Sequence, residues 1–499
     1  MSNVESLKKY FHTGTAEGDR AFLDRAYISH EQLADILSIE EGTLRILVGN
    51  KGTGKTAILE WLNKVANNRN LPTLLLRPDD LDTRSIGAVT DIASLKRGFY
   101  ESLVNAIAVS IGSRLKGYLK GDAATLYNAA MAKGAHDGDF ITKFLPILTA
   151  ISVPVAKING VQLAKELSGT TSSPSLIKAI NVNLLKKGSL FFLLIDDTDQ
   201  VAAPDDPVQL NRIWALLLAV RRLAGECPFI RCVVSLRSEI WIRLVSESKG
   251  QRDQTDHMRD LVISLRASDE LMEKILRRRL SLAAEDLGKH NVDPYPMFFK
   301  DTKVRLPTSE ERRPWDAFIL KSARERPRDA IQLVAKMASR AKINKSALIG
   351  DAEADEGMKE YSRERVDDLS NEFAQDCSTL RQVIETFSRM DFEIPFETLR
   401  VHLKTIGSGF SLNIRNSIIK PSDDGDALRL LRFLHETGFI NPKVNDMRQS
   451  RNFRHISYQD DPGFVEMANW GKLQATTWEV HPAFRSFLLG IKQDVMSRK

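Results

Sequence analysis

Cysteine is nearly missing from this chain: Cys227, Cys232 and Cys377 are the only three among 499 residues. Three thiols make a poor disulfide framework and none has metal-ligand spacing, so a disulfide-stapled fold and a cysteine-ligated metal are both set aside. A reducing cytoplasm is the expected compartment. Long apolar runs are also lacking. The most apolar stretch, residues 144–155, is too short to span a bilayer and holds Pro146 and Pro154, so it reads as buried protein and no membrane partner is expected. The first nine residues have no apolar centre like that of a signal peptide. There is no H-E-x-x-H, no G-x-S-x-G, no compact Cys/His cluster and no internal repeat. Charge of one sign does not dominate either. The net charge of +6 is spread over 71 basic and 65 acidic residues, which permits a nucleic-acid partner without arguing for one.

What is present is an ordinary globular composition, 42% hydrophobic and 27% charged, at a length that suits two to four domains. The chain is organised around Gly49-Asn50-Lys51-Gly52-Thr53-Gly54-Lys55-Thr56, which fits G-x-x-x-x-G-K-[ST] at every fixed position. Its context fits as well. Leu44 to Val48 reads as a buried strand, and Ala57 to Val65 as an amphipathic helix. Gly49, Gly52 and Gly54 let the backbone wrap an anion without β-carbon clashes. Successive N–H groups and the helix N-terminus then face phosphate oxygens. Lys55 supplies a point charge for the β- and γ-phosphates, and the Thr56 hydroxyl can ligate Mg²⁺.

The second signal is Leu190-Phe191-Phe192-Leu193-Leu194-Ile195-Asp196-Asp197-Thr198-Asp199. A wholly apolar run suits a central parallel strand buried on both faces, and its carboxylates fall at the C-terminal edge, where α/β sheets hold ligands. Asp196 suits Mg²⁺. Asp197 is placed to polarise an attacking water, a role Asp199 can also fill. Residues 229–239 form a further strand ending in Ser235 and Arg237, and in a parallel sheet Arg237 faces the γ-phosphate or pairs with a local acid. Residues 261–265 make a fifth strand. Arg252 or Arg259, on the polar stretch between them, can act on a neighbour's nucleotide or lie solvated.

These signals divide the chain into an arm over 1–43, an α/β core over 44–267 with a helical insertion at about 84–187, a helical lid over 268–345, a linker helix over 346–377 and a winged-helix-like domain over 378–499. The arm lies over the base of a nucleotide or simply packs. In the lid, Arg277-Arg278-Arg279 reads as a solvated face. Pro327 suits a first helical turn, which puts Arg328 where a side chain can reach back to a nucleotide. The acidic residues 351–356 are a linker or the start of the next helix. The last domain has helices near 380–390, 396–406 and 427–437, then strand pieces. Arg448, Arg451 and Arg454 near its hairpin can contact DNA phosphates or simply lie solvated, and such a module can also meet proteins. His481 before Pro482 reads as structural.

Together these residues resemble an additional-strand P-loop ATPase of the AAA+/STAND type, the pattern shared by origin-recognition-like and KAP-type ATPases. Residues 14–27, Arg326-Pro327-Arg328-Asp329 and Val480-His481-Pro482-Ala483-Phe484 look similar to a bacterial group of stand-alone ATPases associated with antiphage defence. The resemblance covers most of the chain. It implies an ATP·Mg²⁺ switch, with residues 49–56 and Ala57 binding nucleotide, Thr56 and Asp196 on the metal, Asp197 where a catalytic Glu or Asp usually stands, Arg237 as a sensor arginine and Arg328 as a lid sensor. Asp rather than Glu at 197 implies slow hydrolysis. A homo-oligomer or an effector protein is the implied partner, since no nuclease or protease signature occurs here. A DNA-binding loader and a nucleotide-binding scaffold without turnover are the rival expectations.

Overall fold

An apolar run without alternation, such as Phe191 to Ile195, needs cover on both faces of its strand. In a computed structural model of the chain it has that cover. The structure describes residues 2–37, 43–77, 92–115, 120–132, 172–198, 207–247, 252–307, 309–406, 409–415, 417–420, 423–446 and 453–497. Two compact units emerge, residues 15–267 and residues 1–14 with 268–499. The stretch read as a single arm over 1–43 is therefore divided between them. Helix α1 (Asn3–Tyr10) belongs to the C-terminal unit.

The sheet unit runs α2 (Leu23–Ala26), α3 (Leu33–Leu37), β1 (Leu44–Gly49), α4 (Lys55–Asn68), β2 (Thr73–Leu76), α5 (Ile92–Gly112), α6 (Asp122–Ala132), α7 (Ser173–Lys187), β3 (Phe191–Ile195), α8 (Pro207–Glu226), β4 (Ile230–Arg237), α9 (Ser238–Glu247), α10 (Arg252–Arg259) and β5 (Val262–Ser264). Its five strands are parallel in the order β2-β3-β4-β1-β5, so β4 is interposed between the loop-bearing β1 and the acid-tipped β3. This is the parallel-sheet α/β core the sequence predicts. Burial follows the two-residue period of a strand. Ile46, Val48, Leu193, Ile195, Cys232 and Val234 pack against α5 to α9. Leu47, Leu194 and Val233 pack on the other face, against Ile58, Leu59 and Leu62 of α4 and Leu33 and Ile36 of α3. All three cysteines are free and buried, and burial pushes the Cys227 thiol up to about 12. The polar stretch ahead of β5 is helical from Arg252, and Arg259 pairs with Asp256 at 3.2 Å.

The C-terminal unit continues with α11 (Asp269–Glu285), α12 (Tyr295–Phe298), the hairpin β6 (Lys303–Arg305) and β7 (Arg312–Pro314), α13 (Trp315–Ser322), α14 (Pro327–Asn344) and α15 (Asp351–Glu372). Then come α16 (Leu380–Thr386), β8 (Glu393–Pro395), α17 (Phe396–Ile406), the hairpin β9 (Leu412–Ile414) and β10 (Ser417–Ile419), α18 (Asp424–Glu436), β11 (Ile440–Asn445), β12 (Phe453–His455), α19 (Trp470–Gln474), β13 (Thr477–Val480) and α20 (Pro482–Ser497). Strands β12-β11-β13-β8 form an antiparallel sheet. Strand β8 and the two hairpins are only three residues per strand, too short to leave a period in the sequence. Among the described residues no helix is long and apolar enough to cross a membrane.

Polar contacts tie α1 to α11 and α12 of this unit. On α1 the Ser6 hydroxyl donates to the Ala283 carbonyl at 2.6 Å, and Asn3 Nδ2 donates to the Met297 carbonyl at 2.8 Å. The arginine run expected as a solvated face is only partly so. Arg277 pairs with Asp293 and Arg278 with Glu285, but Arg279 is buried and donates to the Tyr10 carbonyl at 2.6 Å. The acidic residues from Asp351 open α15 instead of forming a linker. Glu353 accepts from the Gly350 N–H at 2.9 Å, closing the helix start, and its other oxygen accepts from the Ser346 hydroxyl at 2.6 Å.

The deepest charge in the unit is Asp329, which accepts from Arg324 at 2.8 Å and from Arg365 at 2.6 Å. Burial alone would raise its carboxyl, but the guanidiniums of Arg324, Arg365 and Arg326 outweigh that and hold it below the usual Asp range. His481 stands at the other extreme. Burial, reinforced by the charges of Arg324 and Arg485, pushes its imidazole down to about 3. Its Nδ1 accepts from the Ala483 N–H at 3.2 Å, as a neutral ring can. An unfolded histidine takes up a proton near 6.5 and this folded one does not. His481 therefore contributes stability that is fully present above about 6.5 and is lost progressively as the pH falls toward about 3. His481→Asn keeps a side-chain acceptor for the Ala483 N–H and removes the titration. Its melting temperature is expected to fall less steeply than that of the parent between pH 6.5 and 4, measured by thermal denaturation across that range.

Candidate functional site

Strand β1 ends at Gly49 and helix α4 starts at Lys55, so five residues make the turn. Gly54 precedes α4 at φ +98° and Gly52 lies at φ +88°, conformations that side chains resist. At Gly49 the constraint is space. A β-carbon there would lie 2.7 Å from Thr53 Oγ1 and 3.2 Å from the Leu265 carbonyl oxygen. The Thr53 hydroxyl braces the turn by donating to the Asn50 carbonyl at 3.0 Å. The first bond of the helical ladder runs from the Ile58 N–H to the Gly54 carbonyl at 3.0 Å. The N–H groups of Lys55, Thr56 and Ala57 thus precede the ladder and face out of its first turn, the arrangement that favours anions. Lys55 is buried, and its Nζ donates to the carbonyls of Gly49 at 2.6 Å and Asn50 at 3.0 Å. Lys51 is exposed and Thr56 half-buried.

The acids reach the same edge through the register of the sheet. Strand β4 aligns Leu47 of β1 with Ser235 and Gly49 with Arg237, while on its other side Ile195 aligns with Val234. Asp196 follows Ile195 and so stands beside Ser235. Two strand spacings separate β1 from β3, which puts their ends about 10 Å apart. Asp196 is 1% exposed. Its Oδ1 accepts from the Ser235 hydroxyl at 2.6 Å, and its Oδ2 is buried with no hydrogen-bond partner among the described residues. Asp197, half-buried, has φ +46° and donates its N–H to Ser235 Oγ at 3.1 Å. The Thr198 hydroxyl donates to the Ser235 carbonyl at 2.6 Å. Arg237 ends β4 opposite Gly49, with Glu239 at 3.9 Å.

Residues 49–57, Asp196, Asp197 and Arg237 therefore share the C-terminal edge of one sheet. Asp199 lies outside the described residues. Arg328 is the second residue of α14, in the C-terminal unit, where it meets Gly14: a β-carbon there, at φ +66°, would be 3.2 Å from the Arg328 carbonyl oxygen. The segment before β1 packs against α4, with Tyr27 stacked on Trp61 at a centroid distance of 4.9 Å and burial pushing its phenol up to about 12. Ser235 is a residue to which sequence reasoning assigned no role. The available signal was one small hydroxyl inside an otherwise apolar strand end, Cys232-Val233-Val234-Ser235-Leu236.

A buried carboxylate oxygen without a partner suits a cation. Among the described residues no group of three or more His, Cys, Asp or Glu is arranged to hold a metal. Asp196 with the Thr56 hydroxyl is a sparse set of hard oxygens. Such a set fits Mg²⁺ bound together with phosphates and water, and does not fit a metal held by protein alone.

A family model described as the FunZ-associated C-terminal helical domain matches residues 269–370, the span from α11 into α15. No curated protein matches the chain. Among solved structures, the ORC2 protein of Aeropyrum pernix in its ADPNP–ADP complexes is similar over 97% of this chain and 95% of that one, at 10% identity and a TM-score of 0.38. The CDC6 protein of Pyrobaculum aerophilum is similar over 96% and 94%, at 12% identity and a TM-score of 0.31. The ADP form of the Aeropyrum pernix ORC2 protein is similar over 98% and 95%, at 11% identity and a TM-score of 0.32.

The turn itself is testable without any ligand. Gly54→Ala has room for its methyl group but must hold a left-handed backbone, and is expected to lower the unfolding free energy by about 1–2 kcal/mol. Gly49→Ala, which collides with Thr53, is expected to lose more. Urea denaturation of the full chain measures both.

Proposed function

We propose that this protein binds ATP with Mg²⁺ at residues 49–57 and hydrolyses it slowly, as a molecular switch. The observation that carries the reading is the buried Oδ2 of Asp196, unpartnered among the described residues and separated by β4 from the strand that opens the phosphate-binding turn. In this reading the N–H groups at the start of α4 bind the β- and γ-phosphates. Lys55 exchanges its bonds to the Gly49 and Asn50 carbonyls for phosphate oxygens. Thr56 and Asp196 would hold Mg²⁺, which would supply positive charge to those oxygens. Asp197 orients a water toward the γ-phosphorus and accepts its proton, while the bond from phosphorus to the β–γ bridging oxygen breaks, giving ADP and phosphate. Arg237, opposite Gly49, is the residue best placed to sense the γ-phosphate or its loss. Catalysis here needs positioning and charge neutralisation only. The short Asp197 carboxylate supports slow turnover.

What the switch drives is inferred from resemblance. We assign it a homo-oligomeric or effector-protein partner in antiphage defence, with Arg328 as the lid residue that reports nucleotide. The loader reading draws less support. Helix α18 of the winged-helix-like region opens on Asp423, Asp424 and Asp426. Its outward Arg429 and Arg432 face Asp426 at 3.2 Å and Glu466 at 3.8 Å. Arg454 faces Asp446 at 3.6 Å, and Arg448 and Arg451 lie outside the described residues.

Lys55→Ala is expected to weaken ATP binding about 100-fold, a loss of about 2.7 kcal/mol, measured by titration with a fluorescent analogue. Asp197→Asn is expected to bind ATP within about twofold of the parent while phosphate release falls about 100-fold. Undiminished phosphate release from a folded Lys55→Ala protein refutes the assignment. Steady-state release at saturating ATP that is zero in the parent leaves the scaffold reading in its place.

A further inference from the structure

The turn after β3 is fastened to a single residue of the neighbouring strand. Ser235 is fully buried. Its hydroxyl donates to Asp196 Oδ1 at 2.6 Å and accepts the Asp197 N–H at 3.1 Å, and its carbonyl accepts the Thr198 hydroxyl at 2.6 Å. Three consecutive residues are thus held by one. We propose that Ser235 is a positioning residue, which aims Asp196 at the cation of the bound nucleotide and sets the backbone of Asp197. This rests on the nucleotide reading above.

The chemistry of the hydroxyl carries the inference. Serine offers one hydrogen and two lone pairs. The hydrogen is committed to Asp196 and a lone pair to Asp197, so the hydroxyl cannot rotate without breaking a bond, and at this depth water has no access to replace it. Occupying Oδ1 leaves Oδ2 as the oxygen of Asp196 that faces a cation. A serine kept only for packing would have no need to orient a carboxylate whose other oxygen stays buried and, among the described residues, unpartnered. The Asp197 N–H bond accompanies a backbone at φ +46°, a conformation uncommon outside glycine, which fixes where the Asp197 carboxylate leaves the strand. Ser235 also aligns with Leu47, two residues before Gly49. The phosphate-binding turn and both acids are therefore referred to one point of β4.

The experiment titrates Mg²⁺ against the affinity of the full chain for fluorescent ADP, alongside the same affinity in EDTA. Neither measurement depends on turnover. Ser235→Ala is expected to change the EDTA affinity less than twofold and to raise the Mg²⁺ half-point about tenfold or more, the usual scale for losing the partner that orients a metal ligand. Thr198→Val, which removes a bond that does not touch Asp196, is expected to leave the half-point unchanged. Ser235→Thr, which keeps the hydroxyl, is expected to restore it. If Ser235→Ala does not fold, Ser235→Cys carries the comparison, its weaker donor giving a smaller shift in the same direction. A Mg²⁺ half-point within twofold of the parent in folded Ser235→Ala or Ser235→Cys overturns this assignment alone. A parent protein that binds no ADP with or without Mg²⁺ overturns the nucleotide reading and this assignment with it.

Discussion

The site depends on the hydrogen-bonded register between β4 and its two neighbours. A parallel sheet delivers all its strand ends to one edge, and β4 lies between the strand that enters the turn at Gly49 and the strand that ends at Asp196. A slip of one residue on either side would turn every side chain of that strand to the opposite face. Leu47 would then exchange places with Ile46, or Leu194 with Leu193, and two differently shaped apolar layers would be mismatched at once. The geometry of the polar edge is thus held by the packing of apolar residues beneath it. Lys55, Asp196 and Ser235 are buried there with polar partners, the carbonyls of Gly49 and Asn50 for the lysine and each other for the acid and the serine.

The C-terminal unit solves a different problem. It buries charge as well as hydrocarbon, and charges out of water persist only when matched. Asp329 between Arg324 and Arg365, with Arg326 reaching Glu372 at 3.3 Å, is such a match, and it sits where α14 begins. Arg324 and Glu325 adopt left-handed backbone immediately before it. That strained entry into α14 is held by the ion pairs of the same segment. Helix α1, from the far end of the chain, closes the unit by filling the surface of α11. This explains how a short amphiphilic segment with little intrinsic helical stability is ordered there.

Much of the candidate site was legible in the sequence because its signals are local. A glycine-rich turn between a strand and a helix, and an apolar run that ends in carboxylates, each declare themselves within about ten residues. The α/β class follows, since such strands have to be covered on both faces. The short strands β6, β7, β8, β9 and β10 were not legible. Each is three residues long and gains its identity only from the partner it meets. The arginine run on α11 misled for a related reason: three adjacent charges look alike in sequence, while on a helix they point in three directions, and one of them, Arg279, faces inward.

The sequence by itself determined which residue types stand at the edge of the sheet, because the glycine-rich turn and the acid-tipped apolar strand are each written within a few consecutive positions. It determined the class of fold for the same reason. Tertiary structure alone decided which residues answer to one another across the chain. That Ser235 holds Asp196, that Arg365 reaches Asp329, and that residues 2–14 belong with a domain beginning some 250 positions later are facts of pairing. Pairing is settled by complementary shape and charge between segments that carry no mark of each other in their own composition.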